Sequence, residues 1–353
     1  MKNKEAKEII YITIKLYMLK NLTILFGGRG LGKTFNILRE MIFYVKTNPG
    51  RKFIWLRDSE KVTQKVAAGQ SLTKPIEDDY FENPNNYEME FPHVEFTKNV
   101  GCYNFAEIDK DGSTLSIFGY LMALSTFKNS RGVDYSDVDY IVMDEFTPEE
   151  GTMQKRNQGT VFLNMYETVN RNRELKGLPP VKIILLSNTN DIYSDIIESL
   201  GVSDIIENMV INNQIKYEDP DIWIEFMSSK EFYEKKKETF IYRINKNKRY
   251  TDMALNNKFK ISTTLILKNV DLKNSTALLV LDDKYTLIQL KNGNYLWISR
   301  VYNNLISYDM DNDQEAILFR LYFTDQLRKA YIMGHMFFDS IYTQKNVLEY
   351  AKI

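Results

Sequence analysis

The chain of 353 residues is long enough for two domains, and its 44% hydrophobic and 26% charged residues exclude long disorder, a fibrous repeat or a disulfide scaffold. Its 46 basic and 47 acidic side chains nearly cancel, so any surface for nucleic acid must be local rather than a field of the whole molecule. Cys102 is the only cysteine and His93 and His335 the only histidines, which excludes intramolecular disulfides and multi-thiolate metal sites, disfavours a histidine-based nucleophile triad, and points to a reducing cytosol.

The first apolar stretch, residues 9–26, follows Lys2, Lys4 and Lys7 as a secretory signal would. However, Lys15 and Lys20 interrupt it, no small-residue cleavage site follows, and no stretch of the chain reaches the roughly 18 apolar residues of a membrane span. Residues 5–19 are expected to form an amphipathic helix or strand packed on the domain that follows.

Leu22–Phe26 is a short apolar strand that runs directly into Gly27, Gly28, Arg29, Gly30, Leu31, Gly32, Lys33 and Thr34. This is a complete Walker A pattern. Behind it Ile37, Leu38, Met41, Ile42 and Val45 recur at helical spacing, completing the strand, loop and helix that the motif requires. The glycines let backbone N–H groups turn inward around a β-phosphate that side chains would keep away. Lys33 brings a point charge to the β- and γ-phosphates, and the Thr34 hydroxyl takes one Mg²⁺ position.

Lys52–Leu56 reads as a second buried strand. Residues 80–120 break the pattern, and alternation between turn clusters predicts a β-hairpin insertion over 94–118 with its tip at Asp109–Gly112. That tip lacks the length and closing glutamate of a calcium loop.

Asp139–Glu145 is an apolar run ending in adjacent carboxylates, as a parallel strand does when it delivers acids to its C-terminal edge. In this Walker B pattern Asp144 holds Mg²⁺ through water and Glu145 polarises the attacking water as general base. The second acid favours hydrolysis over small-molecule kinase chemistry. The Asn-Lys-x-Asp that reads guanine is absent.

Residues 161–173 predict a helix with Phe162, Met165, Tyr166 and Val169 on one face and Arg171 and Arg173 at its end. Those arginines either stabilise a phosphoryl group in a neighbouring subunit or simply complement the helix dipole and face water. Arg131, in the loop before the acid strand, is a second candidate for the same role. Val181–Leu186 is a further buried strand, expected between the Walker strands. Asn188 at its end is either a γ-phosphate sensor or an asparagine closing the strand through its own turn.

Residues 228–250 are helical and net basic, a linker that either touches a polyanion or is a solvated face. Beyond residue 258, alternating runs at 277–281, 285–290 and 295–301 predict antiparallel strands, followed by a helix over 314–330.

The Gly27–Thr34 loop, the acids Asp144 and Glu145 followed by Phe146, the Arg171-Asn172-Arg173 helix end and the short β-rich C-terminal part together resemble the DNA-packaging ATPases of small tailed phages related to phi29. The motif-bearing part covers residues 22–188. Walker motifs alone are shared very widely, so the specificity lies in size, order of elements and bipartite layout.

The resemblance implies an α/β protein with a parallel-sheet P-loop ATPase domain of the ASCE type (1–212), a helical linker or lid (213–257) and a smaller α+β RNase H-like domain (258–353). It implies ATP and Mg²⁺, double-stranded DNA gripped regardless of sequence, and a homopentameric ring. The ring would sit in the host cytoplasm on the portal of an empty procapsid, absent from the mature virion. A packaging RNA is a further partner left open.

Related motors place a pore loop after the second strand, so Lys61, Lys65 and Lys74 in the 59–74 loop are the expected DNA contacts, unless that loop is merely solvated. Asp282, Asp283, Asp309, Asp311, Asp313 and Asp339 fall largely in turns and polar loops, so a vestigial rather than a cutting nuclease is expected. The competing readings are a terminase-like motor with an active nuclease and a slow nucleotide-dependent DNA-binding switch.

Overall fold

The computed structural model describes residues 14–130, 133–147, 157–188, 192, 194–244 and 264–353. They fall into two compact units, one of residues 1–200 and 214–259, the other of 201–213 and 260–353.

The first unit is built on a nine-stranded sheet. Its strands are β1 (Leu22–Gly27), β2 (Lys52–Arg57), β3 (Val94–Asn99), β4 (Cys102–Ile108), β5 (Thr114–Ala123), β6 (Val138–Asp144), β7 (Lys182–Ser187), β8 (Lys216–Glu218) and β9 (Ile222–Met227), in the order β3-β4-β5-β2-β6-β7-β1-β9-β8. The central six run parallel, whereas β4 and β8 run against them at the two edges and β3 pairs antiparallel with β4. Near-continuous apolar runs suit strands covered on both faces: Ile24, Leu25, Ile54, Trp55, Ile141, Val142, Ile184 and Leu185 are all fully buried. As the sequence led us to expect, β7 lies between the two motif strands, β1 and β6.

Helix α1 (Lys33–Thr47) buries Ile37, Leu38, Met41, Ile42 and Val45 against this sheet. Ahead of β1, Ile14 and Leu19 enter the core, and Glu40 of α1 accepts the Leu16 N–H at 3.3 Å and pairs with Lys15. The rest of the expected 5–19 element lies outside the described residues. Helix α4 (Gln158–Asn170) buries Phe162, Met165 and Val169, and packs on the short α5 (Asp195–Ser199), where Gly159 donates its N–H to Asp195 at 2.7 Å.

Three expectations are corrected here. The 94–118 segment holds the expected hairpin, β4 and β5 about the Asp109–Gly112 tip, but it is no separate insertion: β5 pairs in parallel with β2, so β3, β4 and β5 extend the main sheet. Residues 59–74 are not a loop. They hold α2 (Glu60–Gly69), whose Thr63, Val66 and Ala67 are buried at helical spacing, and α3 starts at Lys74 (Lys74–Glu82). Finally, the stretch expected as a helical linker first contributes β8 and β9 to the sheet and only then turns into α7 (Lys230–Lys237) and α8 (Phe240–Ile244).

The second unit contains α6 (Ser203–Ile211), β10 (Thr276–Leu281), β11 (Tyr285–Gln289), β12 (Tyr295–Ile298), β13 (Ile306–Tyr308), α9 (Asp313–Ile332), β14 (Met336–Phe338) and α10 (Ile341–Ala351). Its sheet has the order β13-β10-β11-β12-β14. β10, β11 and β12 form an antiparallel meander, and β13 and β14 are parallel to their neighbours. Leu281, Trp297, Phe319 and Phe338 fill its core. The buried Glu207 of α6 joins this unit by accepting the Ile341 N–H and the Lys268 ammonium, at 3.3 and 3.1 Å.

The seam between β2 and β5 tolerates no side chain at Gly119: a Cβ there would lie 2.3 Å from the Phe53 carbonyl oxygen. Gly119→Ala is expected to destabilise the chain by about 1–3 kcal/mol through this overpacking, read as a lower midpoint in denaturant. An unchanged midpoint would show that the two strands are not in this register.

Candidate nucleotide site

β1 ends at Gly27 and α1 begins at Lys33, so the glycine loop spans the gap between a buried strand and a helix N-terminus. Gly30 and Gly32 take the left-handed backbone, with φ of 92° and 81°, which larger residues resist. Lys33 is buried and donates to the carbonyls of Gly27 and Gly28 at 2.8 and 3.1 Å. Burial lowers its pKa to about 8, against the opposing pull of Asp144 and Glu145.

The acids arrive from β6. Thr34 donates its hydroxyl to Asp144 at 3.1 Å, so the first turn of α1 and the end of β6 meet. Asp144 is buried, and burial followed by the neighbouring Glu145 raises its pKa, while Arg57, Thr34 and Lys33 work in the other direction. Glu145 follows with φ of 58°. Its carboxylate accepts from Asn188 at 3.3 Å and from Arg57 at 2.5 Å. The turn is fixed behind by Phe146, whose N–H bonds to the Leu186 carbonyl and whose ring meets Phe26 edge-on.

The sequence reading missed Arg57. Its guanidinium bridges both acids, with 2.6 Å to Asp144. The available signal was an arginine closing an apolar strand: β2 pairs with β6 at Leu56 and Met143, which carries the next residue of each strand, Arg57 and Asp144, to the same edge.

Thus Gly27, Gly28, Gly30, Leu31, Gly32, Lys33, Thr34, Asp144, Glu145 and Asn188 converge at one sheet edge, with Arg29 exposed on the loop. Other candidates do not. Arg173 is buried at the opposite end of β6, where it donates to the carbonyls of Val138 and Pro179 and pairs with Asp139 at 2.7 Å. Asp139 and Asp144 are separated by five residues of strand, about 17 Å.

Arg173 is therefore committed inside its own subunit and is no free arginine finger. Burial alone would raise the Asp139 pKa, but Arg51, Tyr44 and Arg173 hold it below the usual carboxylate value. Arg171 is exposed, with an unusual φ of 45°, and donates to the carbonyls of Thr168 and Val133. Arg131 lies outside the described residues. Lys61, Lys65 and Lys74 are exposed on α2 and α3, Lys74 being paired with Asp78.

Fold and site together define a mixed α/β protein with a P-loop facing a carboxylate pair two strands away. A profile of the Podovirus DNA encapsidation protein (Gp16) family matches residues 7–344, and the chain belongs to that family. It is 28% identical over 241 residues to the DNA packaging protein of Bacillus phage B103 and 26% identical over 245 residues to that of Bacillus phage phi29. These alignments cover 67% of this chain and 64% and 62% of the relatives, so the chain matches a little under two thirds of their length. In fold it is similar to a chain of the bacteriophage phi29 viral genome packaging motor assembly, with a TM-score of 0.61 at 18% identity, covering 96% of this chain and 98% of that one.

The low pKa of Lys33 makes the site pH-sensitive in a defined direction. Between pH 8 and 10.5 the unfolded chain holds a proton on Lys33 that the empty folded chain has lost, so the stability of the empty protein rises with pH across that window. A polyphosphate beside Lys33 restores the proton. Nucleotide affinity is expected to fall above about pH 8, by up to about tenfold per pH unit, with proton uptake in calorimetry. Affinity that stays level to about pH 9.5 would contradict a buried Lys33.

Proposed function

We propose that this chain is the ATP-hydrolysing subunit of a phage genome-packaging motor, which drives double-stranded DNA into a preformed capsid. The observation that carries the reading is the 3.1 Å contact between Thr34 and Asp144, which closes the glycine loop onto the acid strand with Glu145 one residue beyond. Membership of the DNA encapsidation family supplies the process.

The ATPase unit belongs to the ASCE branch of P-loop proteins, and the order β2-β6-β7-β1 supports this. Lys33 and the loop amides hold the triphosphate, and Asn188 orients Glu145, the base that takes a proton from the attacking water. Mg²⁺ fits the donors present: a hydroxyl and a buried carboxylate in contact, both hard oxygens, with the remaining positions left to phosphates and water. Thr34 and Asp144 would hold it, and it would supply neutralisation of charge on the phosphates.

A ring, a homopentamer, places Arg171 at a neighbour's site, which its exposure supports. Lys61, Lys65 and Lys74 contact DNA phosphates, and the exposed position of all three on α2 and α3 supports this. The 258–353 part is a vestigial RNase H-like domain that docks on the portal, or on a packaging RNA where one is used, without cutting DNA. In support, its acids are engaged locally. Asp282 accepts from Tyr350 and Met310, Asp283 from Ser307, and Asp339 from Ser299 and Thr343.

The test is ATP turnover with and without double-stranded DNA. Wild type is expected to be stimulated. Lys33→Ala should lose nucleotide binding, whereas Glu145→Gln should bind ATP normally and lose turnover by about 10²–10⁴-fold. Normal hydrolysis by Glu145→Gln would refute its role as base. Arg171→Ala should lower turnover only in assembled rings and be rescued by mixing with Glu145→Gln subunits; a loss identical in isolated subunits would refute action across an interface.

A further inference from the structure

The wall of the glycine loop is formed by a helix that no motif announced. β9 runs parallel to β1 with Met227 opposite Gly27, so the chain leaving β9 emerges beside the loop. Ser229 then caps α7, accepting the Phe232 N–H at 3.2 Å. The result lies against Gly30: a Cβ there would be 3.0 Å from the Phe232 ring and 3.3 Å from the Lys236 ammonium. Glycine at position 30 is thus needed twice, for its backbone angle and for the closeness of α7.

The three consecutive lysines of α7 are not equivalent. Lys235 pairs with Glu231 at 3.3 Å and Lys237 with Glu234 at 3.1 Å. Lys236, between them, has no carboxylate partner among the described residues. It is half-buried, with its ammonium 5.2 Å from the centre of the Phe232 ring. An ammonium held on a ring face beside a glycine loop of this kind is placed to meet an anion bound there.

We propose that Lys236 is a second phosphate-binding lysine of the nucleotide site, contacting the polyphosphate from the α7 side while Lys33 contacts it from within the loop. The proposal rests on the nucleotide reading of the site. It also gives the position of Lys236 beside Gly30 a role, because a polyphosphate in the loop would supply the counter-charge that Glu231 and Glu234 give to Lys235 and Lys237.

Lys236→Met keeps the aliphatic stem on Phe232 and removes the charge. In the full chain with Mg²⁺, its affinity for a fluorescent non-hydrolysable ATP analogue is expected to fall by about tenfold, the worth of one charge-assisted hydrogen bond. Lys236→Arg should stay within about threefold of wild type and Lys235→Met within about twofold, since charge at the loop is restored in one and undisturbed in the other. Three results would overturn the proposal: Lys236→Met binding the analogue like wild type, Lys235→Met losing as much, or a loss confined to DNA affinity. Wild type failing to bind the analogue would bring down the nucleotide reading as well, whereas tight wild-type binding with an indifferent Lys236→Met brings down this inference alone.

Discussion

The site is organised by the cost of burying Asp144. A carboxylate removed from water is driven toward its neutral form unless cations and donors are brought to it. Here Arg57 supplies a guanidinium, Thr34 a hydroxyl, and Lys33 a charge from within the loop. Arg57 comes from the end of β2 and the adjacent Lys33 and Thr34 from the first turn of α1, so the burial of one side chain obliges the ends of β2 and β6 and the start of α1 to meet. The loop and the acids are consequently drawn to one edge by the protein's own groups. Lys33 also donates hydrogen bonds to the loop's own carbonyls, which ties the helix start to the loop. Glu145 lies outside this buried cluster and is more exposed, yet shares the same guanidinium and takes its direction from a left-handed turn and Asn188. One acid is fixed by the interior and the next is held more loosely in front of it.

Topology explains why so many groups reach one edge. In a parallel sheet every strand delivers its C-terminal end to the same side. β2, β6, β7, β1 and β9 do so in succession, ending in Arg57, Asp144, Ser187, Gly27 and Met227. The strand beside β1 on one side leads to Asn188, and the strand on the other leads to α7. The glycine loop therefore has a polar wall from β7 and a basic, aromatic wall from α7.

Much of this was legible in the sequence, for reasons that differ by element. Strands buried on both faces announce themselves as apolar runs, so β1, β2, β6 and β7 were readable within a residue or two, as was α9 from its long helical pattern. The loop and the acids were readable because their chemistry needs fixed spacing. What failed was what depends on partners distant in sequence. β5 is half of the expected hairpin, but nothing local shows that β2 claims its other edge. Residues 59–74 look like a loop because polar and charged residues dominate them, and Thr63, Val66 and Ala67, which α2 buries, make only a short and partly polar helical stripe. Arg57 reads as an ordinary strand end until register places it beside Asp144. Arg173 and Arg171 are neighbours in sequence, and nothing local reveals that one is buried and the other exposed.

That last contrast has a structural logic. α1, β2 and β6 are tied to each other at both ends. At the site the ties are Thr34, Arg57 and Asp144; at the base they are Tyr44, Arg51 and Asp139, with Tyr44 donating at 2.6 Å to the carboxylate that Arg51 also holds. Three elements pinned at two levels move as one block, because displacing any of them would strip a buried or half-buried charge of its partners. Arg173 attaches the end of α4 to the lower level of this block through Asp139 and the Val138 carbonyl. Arg171, two residues before it, is thereby carried on a rigid mount at the far end of the sheet from its own phosphate loop. The contrast between the two arginines thus follows from their places in this block: Arg173 is consumed in building its lower level, whereas Arg171 stays at the surface, at the end of the sheet remote from the phosphate loop.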